Sequence, residues 1–441
     1  MHGRAFSTVL AWLLLVAPAG AELPATWPQP RPINDASARS AGLRKLAAER
    51  LTLYTDLPAE AEVDALAGLF DQAYPQWCAF FGLPEKTAEP WRMNGFLIVD
   101  RARFARAGAL PAGLPEFRNG FAWDADLWLN EQPTPYYRRH LLLHEGTHGF
   151  MYMRLGSCGP TWLMEGVAEL LATHALVEGR LQLHHFPRSR AETLHLGRIK
   201  LVRAAVAAGR RRTVDEVLAV EASAHLENET YAWCWALCAM LDGAPRYHER
   251  FRATAIDVGN PESATEQFNR RFRARFAADW RELNDDWAVF TGALEYGHDL
   301  TRSAIDFKPG AVMPAGGAKV SVAVDRGWQS SGLRLEGGKS YSVAATGRYE
   351  IAQSPRPWQC DPGGVSIRYY GGRPLGQLLA VVRPDDAPAG SANPFLAAES
   401  IGLAATLRPT TPGTLYLKIN DTPAELADNR GAVIVTITPG E

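Results

Sequence analysis

One stretch limits what this chain can fold into more than any other: Tyr136-Tyr137-Arg138-Arg139-His140-Leu141-Leu142-Leu143-His144-Glu145-Gly146-Thr147-His148-Gly149-Phe150-Met151. Read as a helix, it sends His144 and His148 out of one face a turn apart, so both imidazoles can converge on a single ion. Leu141, Leu142 and Leu143 before the pair and Phe150 and Met151 after it make the helix apolar on most sides, as in a domain centre. A solvated helix would carry a polar face instead.

The spacing is that of an HExxH motif. Two neutral imidazoles four apart supply half of a tetrahedral zinc shell, and Glu145 lies beside the open coordination position, placed to take a proton from a water there. Gly156-Ser157-Cys158-Gly159-Pro160 then breaks the structure, and Thr161 is placed to N-cap a second helix from Trp162 to Leu171. The connection is short, so the two helices should pack as antiparallel neighbours. Glu165, 17 positions beyond His148, falls in the first turn of the second helix and is read as the third zinc ligand. Glu169 lies on the same face one turn deeper and is read as the carboxylate that orients a ligand imidazole through its other ring nitrogen. A structural zinc site would close its shell with a fourth protein ligand, usually Cys, and would have no use for Glu145. A metal-binding pseudoenzyme and a chance motif are the competing readings.

Trp162-Leu163-Met164-Glu165-Gly166-Val167-Ala168-Glu169 resembles the WLxEGxAE segment that carries the glutamate ligand in gluzincins, the HExxH…E metallopeptidases of the aminopeptidase and thermolysin type. The similarity is closer to their bacterial peptidase-MA-like branch and covers roughly residues 46–290. It implies zinc and peptide hydrolysis without naming a substrate. By the same resemblance Tyr231, which opens an aromatic-rich helix, stands where aminopeptidase-type gluzincins carry the tyrosine that donates to the oxyanion. The other reading of Tyr231 is a residue capping a core helix. Gluzincins also lay their substrate along an edge strand before the active helix. Gly120 to Asn130 reads as a hairpin, and 126–130, with Leu127, Trp128 and Leu129, is the candidate for that edge, an ordinary structural hairpin being the alternative.

The first 21 residues read as a secretory signal: Arg4 makes a basic start, Val9 to Val16 an apolar core, and Ala19-Gly20-Ala21 a cleavage site. The apolar core is too short to span a membrane, so the expectation is a secreted or periplasmic protein without stable membrane insertion. A formal net charge of −2 points away from nucleic acid. Five cysteines are few and odd in number, so no disulfide framework is implied, and Cys234 and Cys238 read as core residues. His174, His184, His185 and His195 are read as structural or surface residues.

The chain of 441 residues has room for two or three domains. Residues 22–45 read as an extended lead-in, 46–300 as the peptidase domain and 301–317 as a linker. From 318 to 441 the pattern has period two, with seven strands around Val320, Tyr341, Val365, Leu378, Leu403, Leu415 and Val433. The fold class is therefore an α+β zincin-like peptidase domain followed by an all-β sandwich domain.

In that sandwich, Asn420-Asp421-Thr422-Pro423-Ala424-Glu425-Leu426-Ala427-Asp428-Asn429 crowds side-chain oxygens into one loop, which suits calcium. The pattern resembles the calcium loop of PA-I-type galactophilic lectins. In that comparison Asp421, Asp428 and Asn429 supply side-chain ligands and the carbonyls of Glu425 and Ile351 the rest. Asp428 stands in place of an Asn, and Cys360-Asp361-Pro362-Gly363-Gly364 replaces the sugar-contacting loop. Asx turns closing a hairpin are the plainer reading. Together these features predict a secreted zinc peptidase acting on a peptide or protein substrate, with the C-terminal module as the candidate for targeting it to glycans or glycoproteins. The alternative is a cell-surface glycan-binding protein with an inactive zinc domain. Nothing in the pattern sets an oligomeric state.

Overall fold

A computed structural model describes residues 26–221, 227–259, 265–388 and 391–440. The expected signal sequence, 1–21, lies outside the described residues. Among them, no helix is long and apolar enough to cross a membrane.

The first half opens with α1 (Asp35–Ser40), β1 (Arg44–Ala47), β2 (Leu51–Thr55), α2 (Ala61–Asp64), α3 (Leu66–Phe81), β3 (Met93–Ile98), α4 (Arg101–Arg106), β4 (Gly120–Trp123) and β5 (Asp126–Asn130). The segment read as an extended lead-in thus holds α1 and the start of β1, because Asn34 caps α1 through bonds from Ala36 N and Ser37 N. The five strands form one sheet in the order β1-β2-β3-β5-β4. β2, β3 and β5 run parallel, and β4 turns back antiparallel on β5 through Asp124, whose φ is 53°.

Next come α5 (Pro135–Leu155), α6 (Thr161–Ala172), the ribbon β6 (Ala175–Val177) and β7 (Arg180–Gln182), α7 (Arg198–Ala207), α8 (Val214–Leu218), α9 (Asn228–Gly243), α10 (His248–Ile256), α11 (Thr265–Arg275), α12 (Trp280–Gly292) and α13 (Leu300–Ser303). Thr134 caps α5 by accepting from Tyr137 N, Pro135 takes the first helical position, and Gly156 ends the helix at a φ of 83°. Thr161 is the first residue of α6 rather than its cap; Pro160 precedes it in extended backbone. α5 is buried almost throughout: Phe150 joins the rings of Tyr74, Trp77 and Trp91, while Phe70 and Trp77 of α3 close on Gly146, and Met93 and Leu127 of the sheet close on Gly149. α9 presses on α6 at Gly166, where an added Cβ would come within 2.4 Å of Cys238 Sγ and 2.6 Å of the Cys234 carbonyl oxygen. Cys234 and Cys238 are core residues, and all five cysteines are unpaired.

The second half is rich in strands: β8 (Ala311–Val312), β9 (Ala318–Ala323), β10 (Gln329–Leu335), β11 (Tyr341–Thr346), β12 (Tyr349–Glu350), β13 (Gln359–Cys360), β14 (Val365–Tyr370), β15 (Arg373–Leu375), β16 (Leu378–Pro384), β17 (Glu399–Ser400), β18 (Ala404–Leu407), β19 (Gly413–Ile419) and β20 (Ala432–Pro439). Two sheets, β17-β16-β19-β10-β8 and β18-β11-β20-β9, enclose a core of Val322, Leu335, Val343, Leu415, Val435 and their neighbours. The segment read as a linker belongs in part to this half, since β8 pairs parallel with β10.

Polar pins join the halves. Arg383 donates to Asp285 on α12 at 2.7 Å and lies 3.1 Å from Glu282, both within a poorly solvated seam. Removing one partner of such a buried pair costs about 3–5 kcal/mol because the other charge is stranded. Beside it, Asp286 accepts from the Tyr247 hydroxyl at 2.6 Å and from Ile305 N at 3.2 Å. Burial pushes the Asp286 carboxyl up to about 7 against those bonds.

Asp286 therefore makes stability depend on pH. The unfolded chain releases this proton near about 3.9, whereas the native protein keeps it to about 7. The native state binds the extra proton throughout that window, so the group's contribution to stability falls as pH rises through it. Asp286→Asn can still accept from Ile305 N and pair with Tyr247 without the charge. Thermal scans should show the variant gaining on the wild type between about pH 4 and about pH 8. A gap of equal size at both ends contradicts this account.

Candidate active site

α5 and α6 bring together the residues that the sequence singles out. His144 Nε2 and His148 Nε2 stand 3.0 Å apart, and Glu165 Oε2 lies 3.2 Å from the first and 3.5 Å from the second. Ligand atoms about 2.0–2.1 Å from a tetrahedral zinc stand roughly 3.3–3.4 Å apart, so the three atoms are spaced as such an ion requires. Glu165 Oε2 is buried without a hydrogen bond, which is the state of an oxygen whose partner is a cation. The imidazole of His148 holds the Glu165 carboxyl down at about 2 against its burial, so Glu165 is ionised.

Glu169 lies where the sequence places it, with Oε1 3.3 Å from His144 Nδ1. Its other oxygen is 3.3 Å from His140 Nε2, and His140, His144 and Glu169 form a second group able to hold a metal. Arg198 donates to both oxygens of Glu169, at 2.8 Å from Nε and 2.7 Å from the terminal nitrogen. Neither His140 nor Arg198 stands out in the sequence as a site residue. His140 was within reach of the period-four pattern, whereas nothing local marks Arg198. His174 stacks on Tyr136 at 4.5 Å and contacts the Ala172 carbonyl oxygen, a structural role.

Glu145 is buried against β4. A Cβ at Gly120 would fall 2.5 Å from Glu145 Oε1, so glycine leaves the room this carboxylate occupies. Burial raises the Glu145 carboxyl, the direction that suits a proton acceptor. Tyr231, in the first turn of α9, has its ring centroid 6.0 Å from that of His144, with the Arg198 guanidinium 5.3 Å from its own centroid. Burial and the carboxylates of Glu165, Glu169 and Glu145 push its hydroxyl well up, so it stays protonated and able to donate.

Two cavities flank Glu145, of about 390 Å³ and about 340 Å³, and share Gly120, Phe121, His144, Glu145 and Tyr231. Ala122, Trp123 and Tyr152 line the first; Arg118, Asn119, Asn228 and Arg198 line the second. This corrects the expected edge. Leu127, Trp128 and Leu129 are buried in β5, which is paired on both sides, whereas the edge strand beside the site is β4, Gly120 to Trp123. β4 and β5 form the expected hairpin, but its more apolar arm is the inner one because it is covered on both faces.

In the second half, the 421–429 loop gathers as expected. Asn429 donates to Asp421 Oδ2 at 2.8 Å, and Asp421 Oδ1 accepts from Thr422 N at 2.7 Å. The bridge between Glu350 and Arg430 sets Ile351 beside Asn429, and the Glu425 carbonyl accepts from Asp428 N at 3.2 Å. Asp428 Oδ1 and Asn429 Oδ1 are buried with no hydrogen-bond partner, a pair of orphan oxygens that a hard cation would satisfy. Burial raises the Asp421 carboxyl to about 6. The loop is not free, however: Thr422 donates to Glu295, and Pro423 accepts from Asp299 N at 3.0 Å.

No protein-family model matches the chain, and no curated protein matches it in sequence. Among solved structures, the N-terminal domain of EclA, a PllA-like lectin, is 17% identical over 29% of this chain and 100% of that one, with a TM-score of 0.22. The IMPa metallopeptidase from Pseudomonas aeruginosa is 11% identical over 88% of this chain, with a TM-score of 0.17. The chain spans 46% of that metallopeptidase's length. A metallopeptidase and a lectin domain are thus among the structural neighbours, at TM-scores too low to carry an argument.

If the three atoms hold an ion, the two motif residues separate cleanly. His148→Ala should lose the metal, because two remaining ligands hold it poorly, while Glu145→Gln should retain it. Elemental analysis of both purified variants reads the difference, and full occupancy in the His148 variant contradicts the assignment.

Proposed function

We propose that the chain is an exported zinc peptidase. The observation that supports this most directly is the set of Nε2, Nε2 and Oε2 atoms of His144, His148 and Glu165 at 3.0–3.5 Å spacing, opening on a cleft beside Glu145. Zinc bound there supplies the Lewis acidity that polarises a carbonyl and acidifies a water. The substrate backbone adds to the free edge of β4 and lies across both cavities. Glu145 takes the proton of the attacking water as its oxygen bonds to the carbonyl carbon, then gives that proton to the leaving nitrogen as the C–N bond breaks. The Tyr231 hydroxyl donates to the oxyanion formed between these events. Glu169 holds the His144 ring through Nδ1.

The sandwich is proposed to bind calcium through Asp421, Asp428 and Asn429 with the carbonyls of Glu425 and Ile351, supported by the two orphan oxygens. Its role in recognising a glycosylated substrate is less favoured, because the loop is packed against Glu295 and Asp299. That packing also weighs against a glycan-binding protein with an inactive zinc half.

A peptide library incubated with zinc-loaded protein should be cleaved, and Glu145→Gln should abolish the cleavage. Tyr231→Phe should lower kcat by on the order of a hundredfold at unchanged melting temperature. A variant that melts early and keeps its rate instead assigns Tyr231 to the core.

Calcium that binds only the folded chain raises its melting temperature in proportion to the logarithm of the ion concentration. The full-length protein should show this response, and Asp421→Ala should remove it. A flat response in the wild type leaves the loop as a set of Asx turns.

A further inference from the structure

We infer that Arg198 is the positioning residue of this site: its guanidinium holds the place of a second cation on Glu169 and so fixes both the His144 ligand and the Tyr231 ring. The inference rests on the zinc reading above and adds a residue that reading does not need.

The seam between α5 and α6 is a ladder. His140, His144 and His148 follow one another at single-turn spacing on α5, and Glu165 and Glu169 do the same on α6. This yields two groups with metal-holding geometry that share His144. The lower rung is the proposed zinc site. In the upper rung, His140 Nδ1 lies 3.1 Å from the Ala172 carbonyl oxygen, which can only accept, so that nitrogen carries the proton. His140 Nε2 then turns a lone pair toward Glu169 Oε2 at 3.3 Å, with no hydrogen bond between them. Such a rung calls for positive charge.

Arg198 supplies it. The side chains of Arg198 and Glu169 are 8% and 2% exposed, so the two-pronged contact is nearly dry. A guanidinium cannot lose its proton in a protein, and its fork fixes the carboxylate plane as well as its position. That plane decides where Oε1 stands relative to His144 Nδ1, and hence how the imidazole presents Nε2 to the metal. The same guanidinium lies 5.3 Å from the Tyr231 ring centroid, close enough for a cation–π contact. One side chain thus ties the ligand-orienting carboxylate to the oxyanion donor, and its charge repels a second metal from the upper rung.

The test compares wild type, Arg198→Gln and Arg198→Lys, each first shown to be folded by thermal melting. Zinc affinity by chelator competition, zinc stoichiometry in excess metal, the absorption spectrum of the cobalt(II) form, and kcat and KM on a cleaved peptide are measured. Arg198→Gln should weaken zinc binding by roughly 10–100-fold, shift the cobalt spectrum, lower kcat with KM little changed, and admit a second equivalent of zinc. Arg198→Lys keeps the charge without the fork, so it should restore one equivalent while leaving affinity and kcat reduced. Unchanged affinity and spectrum with a raised KM would make Arg198 a substrate contact and overturn the inference alone. A wild-type protein that takes up no zinc would overturn the zinc reading and this inference together.

Discussion

The approach of α9 to α6 at Gly166 is the contact on which the site depends. Gly166 follows Glu165, the proposed metal ligand, directly, and the Cys234 carbonyl and Cys238 thiol occupy the space that any side chain there would need. α9 carries Tyr231 in its first turn, three residues before Cys234. The spacing between the two helices therefore sets how far Tyr231 on α9 stands from Glu165 on α6. A larger residue at 166 would meet both the Cys238 thiol and the Cys234 backbone, and the helices would have to separate. Glu165 and Tyr231, the proposed metal ligand and oxyanion donor, are thus positioned by packing, on elements made rigid by an aromatic and aliphatic core.

That rigidity carries an electrostatic cost. Three imidazoles, three carboxylates and a guanidinium sit in or beside one seam, all of them buried except His148, which lines the cleft. Burial opposes the charge on each of them, and only mutual contact offsets it, as the depressed Glu165 and Glu169 carboxyls show. Removing any one partner leaves another buried charge alone. Clusters of this kind are rarely the most stable filling of a core, and their presence in a cleft is better explained by chemistry than by stability.

Much of this was legible in the sequence, and the reasons are local. His144, Glu145, His148, Glu165 and Glu169 declare themselves through helical period alone, because a helix fixes which side chains share a face. The misplaced edge strand shows the limit. Period and composition identify a hairpin between Gly120 and Asn130 but not which arm faces outward, since that depends on the distant strand β3 pairing with β5. The inner strand β10 leaves no sequence signal, because Gln329-Ser330-Ser331-Gly332 offers no apolar alternation and its register shifts midway. Arg198 is invisible for a like reason: it meets Glu169 only after the intervening ribbon and loop have folded back.

The joint between the halves has a geometric consequence. Arg383 on Asp285, Asn393 on Asp285, Thr422 on Glu295 and Pro423 on Asp299 pin the sandwich at several separated points, around an apolar patch that includes Ile305, Trp328, Phe395 and Tyr416. A flexible tether raises the local concentration of whatever its second module holds and lets it search a volume set by linker length. A pinned module does neither. Anything the sandwich bound would be held at one distance and one angle from the β4 edge, as by a ruler. Selectivity would then reside in the spacing between two features of a target, beyond the identity of either one.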